Sequence, residues 1–259
     1  MTRIGDIDLR VALIDSDYYT EKAIHAYLAW DRRTRALTDY SSLEQFWLSL
    51  DGVGAAAYPD VIILDVNNVG ERGDIRREIK RLVDDLPKAT VVCLSHIDDL
   101  DLFYAAAEGG AQAFLHKDDV RFYIASAVCI AATELRGGEL LYSAKMDGAR
   151  RLLNHRRATR PLAIALPQPM RYVGLEAEKS AEVGYTRRRT IELFAVEGMP
   201  AKLIANELQL SEGAIRDHIK EAKLILGLRD LDPDDDFLAN LPKREQAFVK
   251  LTALEKLRR

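Results

Sequence analysis

Short apolar runs alternate with amphipathic stretches through the first half of the chain, and this pattern restricts the possible folds more than any other feature. Four of the runs are typical of strands that are buried on both faces, and a weaker strand lies near 34–38. Helical periodicity fills the intervals between them. Five strands that alternate with five helices predict a doubly wound α/β domain built on a five-stranded parallel sheet. The four strong runs are 11–14, 61–64, 90–94 and 111–115.

Each strong run is followed by a residue that can do chemistry. Asp15 follows the first strand, Asp65 the third, Ser95 the fourth and Lys117 the fifth. The carboxyl ends of parallel strands share one edge of such a sheet, which is where ligands bind. Two carboxylates suit a hard divalent cation, while a hydroxyl and an ammonium can stabilise phosphoryl oxygens. One carboxylate would then accept a phosphoryl group and form an acyl phosphate.

Residues 9–134 resemble the receiver domain of response regulators. The stretch 59–65, PDVIILD, matches the segment that ends in the phosphoacceptor aspartate of that family. The resemblance implies a flavodoxin-like fold, a weak Mg²⁺ site and a sensor histidine kinase as phosphodonor. The residues it assigns are the phosphoacceptor Asp65, the phosphoryl switch residues Ser95, Phe114 and Lys117, and the metal ligands Asp15, Asp65 and, through its backbone carbonyl, Asn67.

The loop after the first strand departs from the family pattern. Receiver domains usually carry two consecutive acidic residues there, and the second binds the metal directly. This chain has Ser16 at that position, and Asp17 is displaced by one residue. The loss of a charged ligand weakens a Mg²⁺ site, because such sites depend on few carboxylates. Two alternatives therefore stay open: a phosphorylated receiver, or a pseudo-receiver that works without phosphorylation.

Residues 199–228 contain two helical patterns joined by a tight turn. Ser211 offers a side-chain oxygen at the N-cap of the second helix. A helix that packs across another and has a polar, basic outer face is the helix-turn-helix arrangement of DNA-binding proteins. The apolar positions predicted to form its core are Leu203, Ile204, Leu208 and Leu210, then Ile215, Ile219, Ala222, Leu224 and Leu226.

The runs 201–205 and 210–219 resemble the LuxR/NarL-type helix-turn-helix. With the receiver-like half, they imply an atypical response regulator of the NarL/LuxR (FixJ) family, a DNA-binding transcription regulator and not an enzyme. A protein-interaction module that docks a partner is the alternative. The implied partners are double-stranded DNA, a second copy in a homodimer and, indirectly, RNA polymerase. The implied DNA contacts are Arg216, Asp217 and Lys220 at base edges and Lys202, Ser211 and Lys223 at phosphates.

Charge divides the chain in the same way. Residues 1–134 hold 14 Lys and Arg against 23 Asp and Glu, a balance of −9, while residues 135–259 hold 23 against 18, a balance of +5. An acidic half joined to a basic half suits a switch domain attached to a nucleic-acid binder. The predicted domains are a receiver at 1–134, a linker with a helix and a proline-containing connector at 135–184, and a helix-turn-helix domain with an extra C-terminal helix at 185–259.

Other features of the sequence give weaker expectations. No run of 18 apolar residues and no apolar leader is visible, so a cytoplasmic protein without a membrane span is expected. The C-terminal helix is predicted at 242–259, with Phe248, Leu251, Leu254 and Leu257 on one face. An arginine cluster in the linker is either a solvated helix face, a DNA-backbone contact or a surface that docks on the acidic half: Arg150, Arg151, Arg156, Arg157 and Arg160.

Overall fold

The computed structural model describes residues 7–143, 162–176, 181–229 and 236–257, which form two compact units. One unit spans residues 7–167 and the other residues 168–255. No helix in these described ranges is long and apolar enough to cross a membrane. The predicted linker helix and the arginine cluster at 150–160 lie outside the described residues.

Seven parallel strands form one sheet among the described residues of the first unit. The strands are β1 Leu9–Ile14, β2 Thr34–Tyr40, β3 Val61–Asp65, β4 Thr90–Ser95, β5 Ala113–His116, β6 Glu139–Tyr142 and β7 Leu162–Ala165. Their order across the sheet is β2-β1-β3-β4-β5-β6-β7. In the described part of this unit, the helices longer than four residues are α1 Tyr18–Trp30, α2 Leu43–Leu50, α3 Arg72–Asp85, α4 Leu100–Gly109 and α5 Ile124–Thr133. The predicted doubly wound parallel α/β fold is confirmed.

The predicted number of strands was wrong, because β6 and β7 extend the sheet from five strands to seven. Leu141 of β6 lies opposite Ala113 of β5, and its neighbours Leu140 and Tyr142 are fully buried. Sheet structure thus continues beyond residue 134, and the first unit ends at Pro167. The boundaries predicted at 134 and 184 differ from this division. Only three residues of β6 are apolar, and so short a run displays no period that would predict a strand.

The second unit is helical, with α6 Ala181–Ala195, α7 Ala201–Glu207, α8 Glu212–Ile225 and α9 Lys243–Leu251. Helices α7 and α8 form the predicted helix-turn-helix, and Gln209 in the turn has a positive φ of 54°. Three predicted core positions were wrong: Leu203, Leu210 and Leu224 are 49%, 37% and 45% exposed. The core of the motif consists of Leu193, Ile204, Ala205, Ile215 and Ile219.

The C-terminal helix is shorter than predicted. It ends at Leu251, where the Thr252 hydroxyl donates to the carbonyl of Phe248 at 2.9 Å. The chain then pairs with residues 168–170: the Met170 amide donates to Ala253 and the Glu255 amide donates to Gln168. Phe248 and Leu251 are buried as predicted, but residues 254 and 257 lie beyond the helix. Residues 254 and 257 are not on a helical face, because the chain after Leu251 is extended and pairs with residues 168–170.

Candidate phosphoryl site and nucleic-acid interface

Lys117 joins two aspartates at the carboxyl edge of the sheet. Its Nζ lies 2.8 Å from Asp15 Oδ2 and 2.9 Å from Asp65 Oδ2. Asp15 follows β1, Asp65 ends β3 and Lys117 follows β5, so three strand ends position the cluster. Asp15 and Asp65 are 2% and 4% exposed. The structure therefore brings together the three charged residues that the sequence placed at strand ends.

The backbone of each loop supplies the remaining donors. The Asp17 amide donates to Asp15 Oδ1 at 2.9 Å, and the Asn67 amide donates to Asp65 Oδ1 at 3.0 Å. The Asn68 side chain adds a bond to Asp65 Oδ2 at 3.2 Å. Both oxygens of each carboxylate thus accept a hydrogen bond, which compensates the loss of water on burial.

Burial and the ion pairs shift the pKa values of Asp15 and Lys117. Burial raises the pKa of Asp15, and the hydrogen bond from Lys117 opposes that rise. Burial also acts to lower the pKa of Lys117, but its bonds to Asp15 and Asp65 outweigh burial and the pKa is raised. Lys117 therefore stays charged at neutral pH, and it is the counter-ion of a buried carboxylate pair.

The predicted switch residues Ser95 and Phe114 are buried. Both make contacts with residues outside the cluster of Asp15, Asp65 and Lys117. The Ser95 hydroxyl donates to the carbonyl of Ile97 at 2.8 Å and accepts from the Ile97 amide at 3.0 Å. The Phe114 ring meets Phe103 of α4 edge-on, with centroids 5.4 Å apart. In this conformation Ser95 orders the loop between β4 and α4, and Phe114 belongs to the core beneath α4.

Asp17 does not take the place of the acidic metal ligand that receiver domains usually carry at the position of Ser16. Its carboxylate caps α1 by accepting from the amides of Tyr19 and Thr20 and from the Thr20 hydroxyl. These bonds lower the pKa of Asp17. Ser16 lines a cavity of about 430 Å³ together with Asp15, Asp65 and Asn68. Across the described ranges, no group of three or more His, Cys, Asp or Glu is placed to hold a metal ion.

Sequence reasoning missed two contacts that tie the loops of this edge together. The Asn67 side-chain oxygen accepts from the His96 amide at 3.0 Å, which links the loops after β3 and β4. The His116 amide donates to the hydroxyl of Ser143 at 2.8 Å, which links the ends of β5 and β6. Nothing in the sequence signals these partners, since Ser143 is 27 positions from His116 and follows a strand that was not predicted.

The outer face of α8 carries the three residues predicted to contact base edges. Arg216, Asp217 and Lys220 are exposed, as is Lys202 on α7. The Lys223 ammonium lies 5.3 Å from the centre of the Phe194 ring. Ser211 caps α8, because its hydroxyl accepts from the Ala214 amide at 3.1 Å.

The three consecutive arginines of α6 have acidic partners inside the same unit. Arg187 contacts Glu221 at 3.2 Å, Arg188 contacts Glu192 at 3.0 Å, and Arg189 contacts Glu197 at 2.8 Å. They lie in the middle of α6, which begins at Ala181 and ends at Ala195. These arginines therefore join α6 to α8 and to acidic residues of α6 and the turn after it, whereas Lys202 of α7 and Lys220 of α8 are exposed.

Comparisons with known proteins found matches only among solved structures. No family model matches the chain, and no curated protein matches it. Among the solved structures, the Salmonella typhimurium response regulator RcsB is 14% identical, with a TM-score of 0.45 over 85% of this chain and 93% of that chain. A structure of two RcsB dimers bound to two parallel DNAs is 13% identical, with a TM-score of 0.47 over 93% and 98%.

A third solved structure resembles part of the chain. A LuxR family DNA-binding response regulator from Silicibacter pomeroyi is 21% identical, with a TM-score of 0.41 over 52% of this chain and 95% of that chain. All three identities lie below 25% and all three TM-scores below 0.5. The assignment of function therefore rests on the residues of this chain.

Proposed function

We propose that the protein is a DNA-binding transcription regulator in which a receiver-like unit controls a helix-turn-helix unit. The observation that carries the proposal is α8, whose capped N-terminus and exposed Arg216 and Lys220 form a polar face on a buried apolar core. A helix with these properties fits the major groove of B-DNA. The protein would act in the cytoplasm as a homodimer, because one module offers a small interface and paired half-sites suit a two-fold dimer.

Salt dependence of duplex binding tests this assignment. We expect the logarithm of the binding constant to fall linearly with the logarithm of the salt concentration, because Lys and Arg displace counter-ions from phosphates. Lys202→Ala should reduce the slope by about 0.9 for each bound copy. Lys88→Ala, an exposed lysine of the first unit, is the matched control and should leave the slope unchanged. A flat salt dependence of the wild-type protein would exclude DNA binding as its function.

The receiver-like unit is proposed to accept a phosphoryl group on Asp65 from a histidine kinase. A carboxylate oxygen of Asp65 would attack phosphorus while the bond from phosphorus to the donor breaks. Lys117 lies where its ammonium can stay close to the phosphoryl oxygens, since it already contacts Asp65. Asp15, Asp65 and the carbonyl of Asn67 would hold Mg²⁺ weakly, since such a site needs only one or two carboxylates and water. Mg²⁺ would neutralise charge that develops on the phosphoryl group.

Intact-mass measurement after incubation with acetyl phosphate and Mg²⁺ tests the acceptor. We expect one phosphoryl adduct on the wild-type protein and none on Asp65→Asn. Asp17→Asn is the matched control, because it alters a neighbouring carboxylate and Asn is an equally good N-cap. An adduct that persists in Asp65→Asn would contradict the assignment of the acceptor.

A second candidate function is a pseudo-receiver that docks a partner or responds to protein level without phosphorylation. The observation that favours it is the hydrogen bonding of Asp15 and Asp65, whose four oxygens all have N–H donors. Ser16 also leaves the cavity one carboxylate short of the family pattern. No adduct on the wild-type protein at saturating Mg²⁺, with duplex binding intact, would select this candidate.

A further inference from the structure

Glu212 and Arg216 form an ion pair on the outer face of α8. Glu212 is the first residue of the helix, and Arg216 follows one turn later. The Arg216 Nη2 atom lies 2.6 Å from Glu212 Oε1, and Nε lies 3.1 Å from the same oxygen. The Arg216 side chain is 72% exposed and the Glu212 side chain is 43% exposed, so the pair lies on the solvent-facing side of α8 that would meet DNA.

The geometry of the guanidinium group decides which N–H donors of Arg216 are not bonded to Glu212. A guanidinium has five N–H donors in a planar fork. Glu212 takes the edge formed by Nε and one hydrogen of Nη2. The end of the fork, with one hydrogen on each terminal nitrogen, then points away from the carboxylate. Two parallel donors of this kind match the O6 and N7 acceptors of guanine in the major groove.

We propose that Glu212 is a positioning residue that holds Arg216 ready to recognise a guanine, an inference that rests on the DNA-binding function proposed above. The exposed pair contributes little to helix stability, because water and salt screen it. Its value lies in fixing a flexible side chain in one orientation before binding. The same carboxylate repels nearby phosphates, so Glu212 lowers affinity for duplexes of any sequence while it raises discrimination between bases.

Glu212 is proposed to lower affinity for all duplexes and to raise discrimination between bases. Because these two effects have opposite signs, they distinguish a positioning role from a purely structural one. Glu212→Gln should bind random duplexes more tightly and lose base discrimination at one position. A residue that only stabilised the helix N-terminus would weaken all binding and leave the base preference intact. Arg216→Ala should lose the same preference, and Glu212→Gln should then have no further effect on discrimination in the Arg216→Ala background.

The experiment selects bound duplexes from a random library with the wild-type protein and each variant, then measures affinity for the selected site and for guanine-to-adenine changes in it. We expect the wild-type protein to prefer one guanine by about tenfold or more, and Glu212→Gln to retain about a third of that ratio or less. Glu221→Gln is the matched control, because Glu221 lies on the same helix and pairs with Arg187. It should keep the full preference.

The outcomes distinguish this inference from the function beneath it. A wild-type protein that binds no duplex would overturn both. A wild-type protein whose guanine preference depends on Arg216 and survives in Glu212→Gln would overturn the positioning role alone. An equal loss of preference in Glu212→Gln and Glu221→Gln would also overturn it, because the effect would then follow the charge of the helix and not the contact with Arg216.

Discussion

Lys117→Met is expected to destabilise the first unit by about 3 kcal/mol at neutral pH, because it leaves two buried carboxylates without their counter-ion. Asp15 and Asp65 are almost fully buried, and both contact Lys117 within 3 Å. Methionine keeps the length of the side chain, so the change removes charge with little change in packing. Urea unfolding followed by tryptophan fluorescence measures the effect. Both tryptophans, Trp30 and Trp47, lie in the first unit and report on it alone.

The loss should depend on pH in a direction set by the pKa values. In the wild-type protein the raised pKa of Lys117 contributes stability that is fully present below its ordinary value of 10.5 and is lost as pH rises through the folded value. Burial already raises the pKa of Asp15 in the wild-type protein, and Lys117→Met removes the hydrogen bond that opposes this rise. The stability of Lys117→Met should therefore fall more steeply as pH rises above the ordinary Asp15 value of 3.8. The difference between the two proteins should therefore be smaller at pH 4 than at pH 7.

An exposed lysine provides the control for this experiment. Lys22 contacts Glu21 and Asp39 but is 52% exposed, so Lys22→Met should cost less than about 1 kcal/mol. A loss of that size in Lys117→Met as well, or a loss that is equal at pH 4 and pH 7, would contradict the role of Lys117 as a buried counter-ion.

The charged cluster could be predicted from the sequence because topology does most of the positioning. Once three buried runs are recognised as parallel strands, their carboxyl ends must meet at one edge. Asp15 and Asp65 follow their runs directly, and Lys117 follows its run after one residue. The structure places the carboxylates of Asp15 and Asp65 within 3 Å of the Lys117 ammonium. Ser211 as the cap of α8 was predictable for a similar reason, since capping depends on a local side-chain bond.

Contacts between distant loops could not be predicted in this way. The link from His116 to Ser143 requires knowledge that residues 139–142 form a strand, and a four-residue run carries no usable period. Leu203 and Leu224 follow helical spacing yet remain exposed, because the packing of α7 on α8 covers a narrower stripe than the sequence pattern suggests. The orientation of Ser95 toward Ile97 depends on loop geometry that leaves no trace in residue spacing.

The seven-stranded sheet predicts a second large effect, at Tyr142. This residue ends β6, is fully buried, and belongs to the same core as Phe103 and Phe114. Tyr142→Ala should destabilise the first unit by about 3–5 kcal/mol, since truncation of a buried aromatic residue removes its contacts and leaves a cavity. Tyr19→Ala, which truncates a side chain that is 83% exposed in the same unit, should cost less than about 1 kcal/mol.

This comparison decides whether β6 is part of the folded unit or an attached linker. A linker segment that only rests on the sheet would give Tyr142→Ala a loss no greater than that of Tyr19→Ala, measured by the same urea unfolding and tryptophan fluorescence. If β6 is integral, its pairing with β5 covers a side of β5 that would otherwise be an open sheet edge. Tyr142→Ala would then also increase hydrogen exchange at the amides of β5, because the strand that protects them is anchored by that side chain.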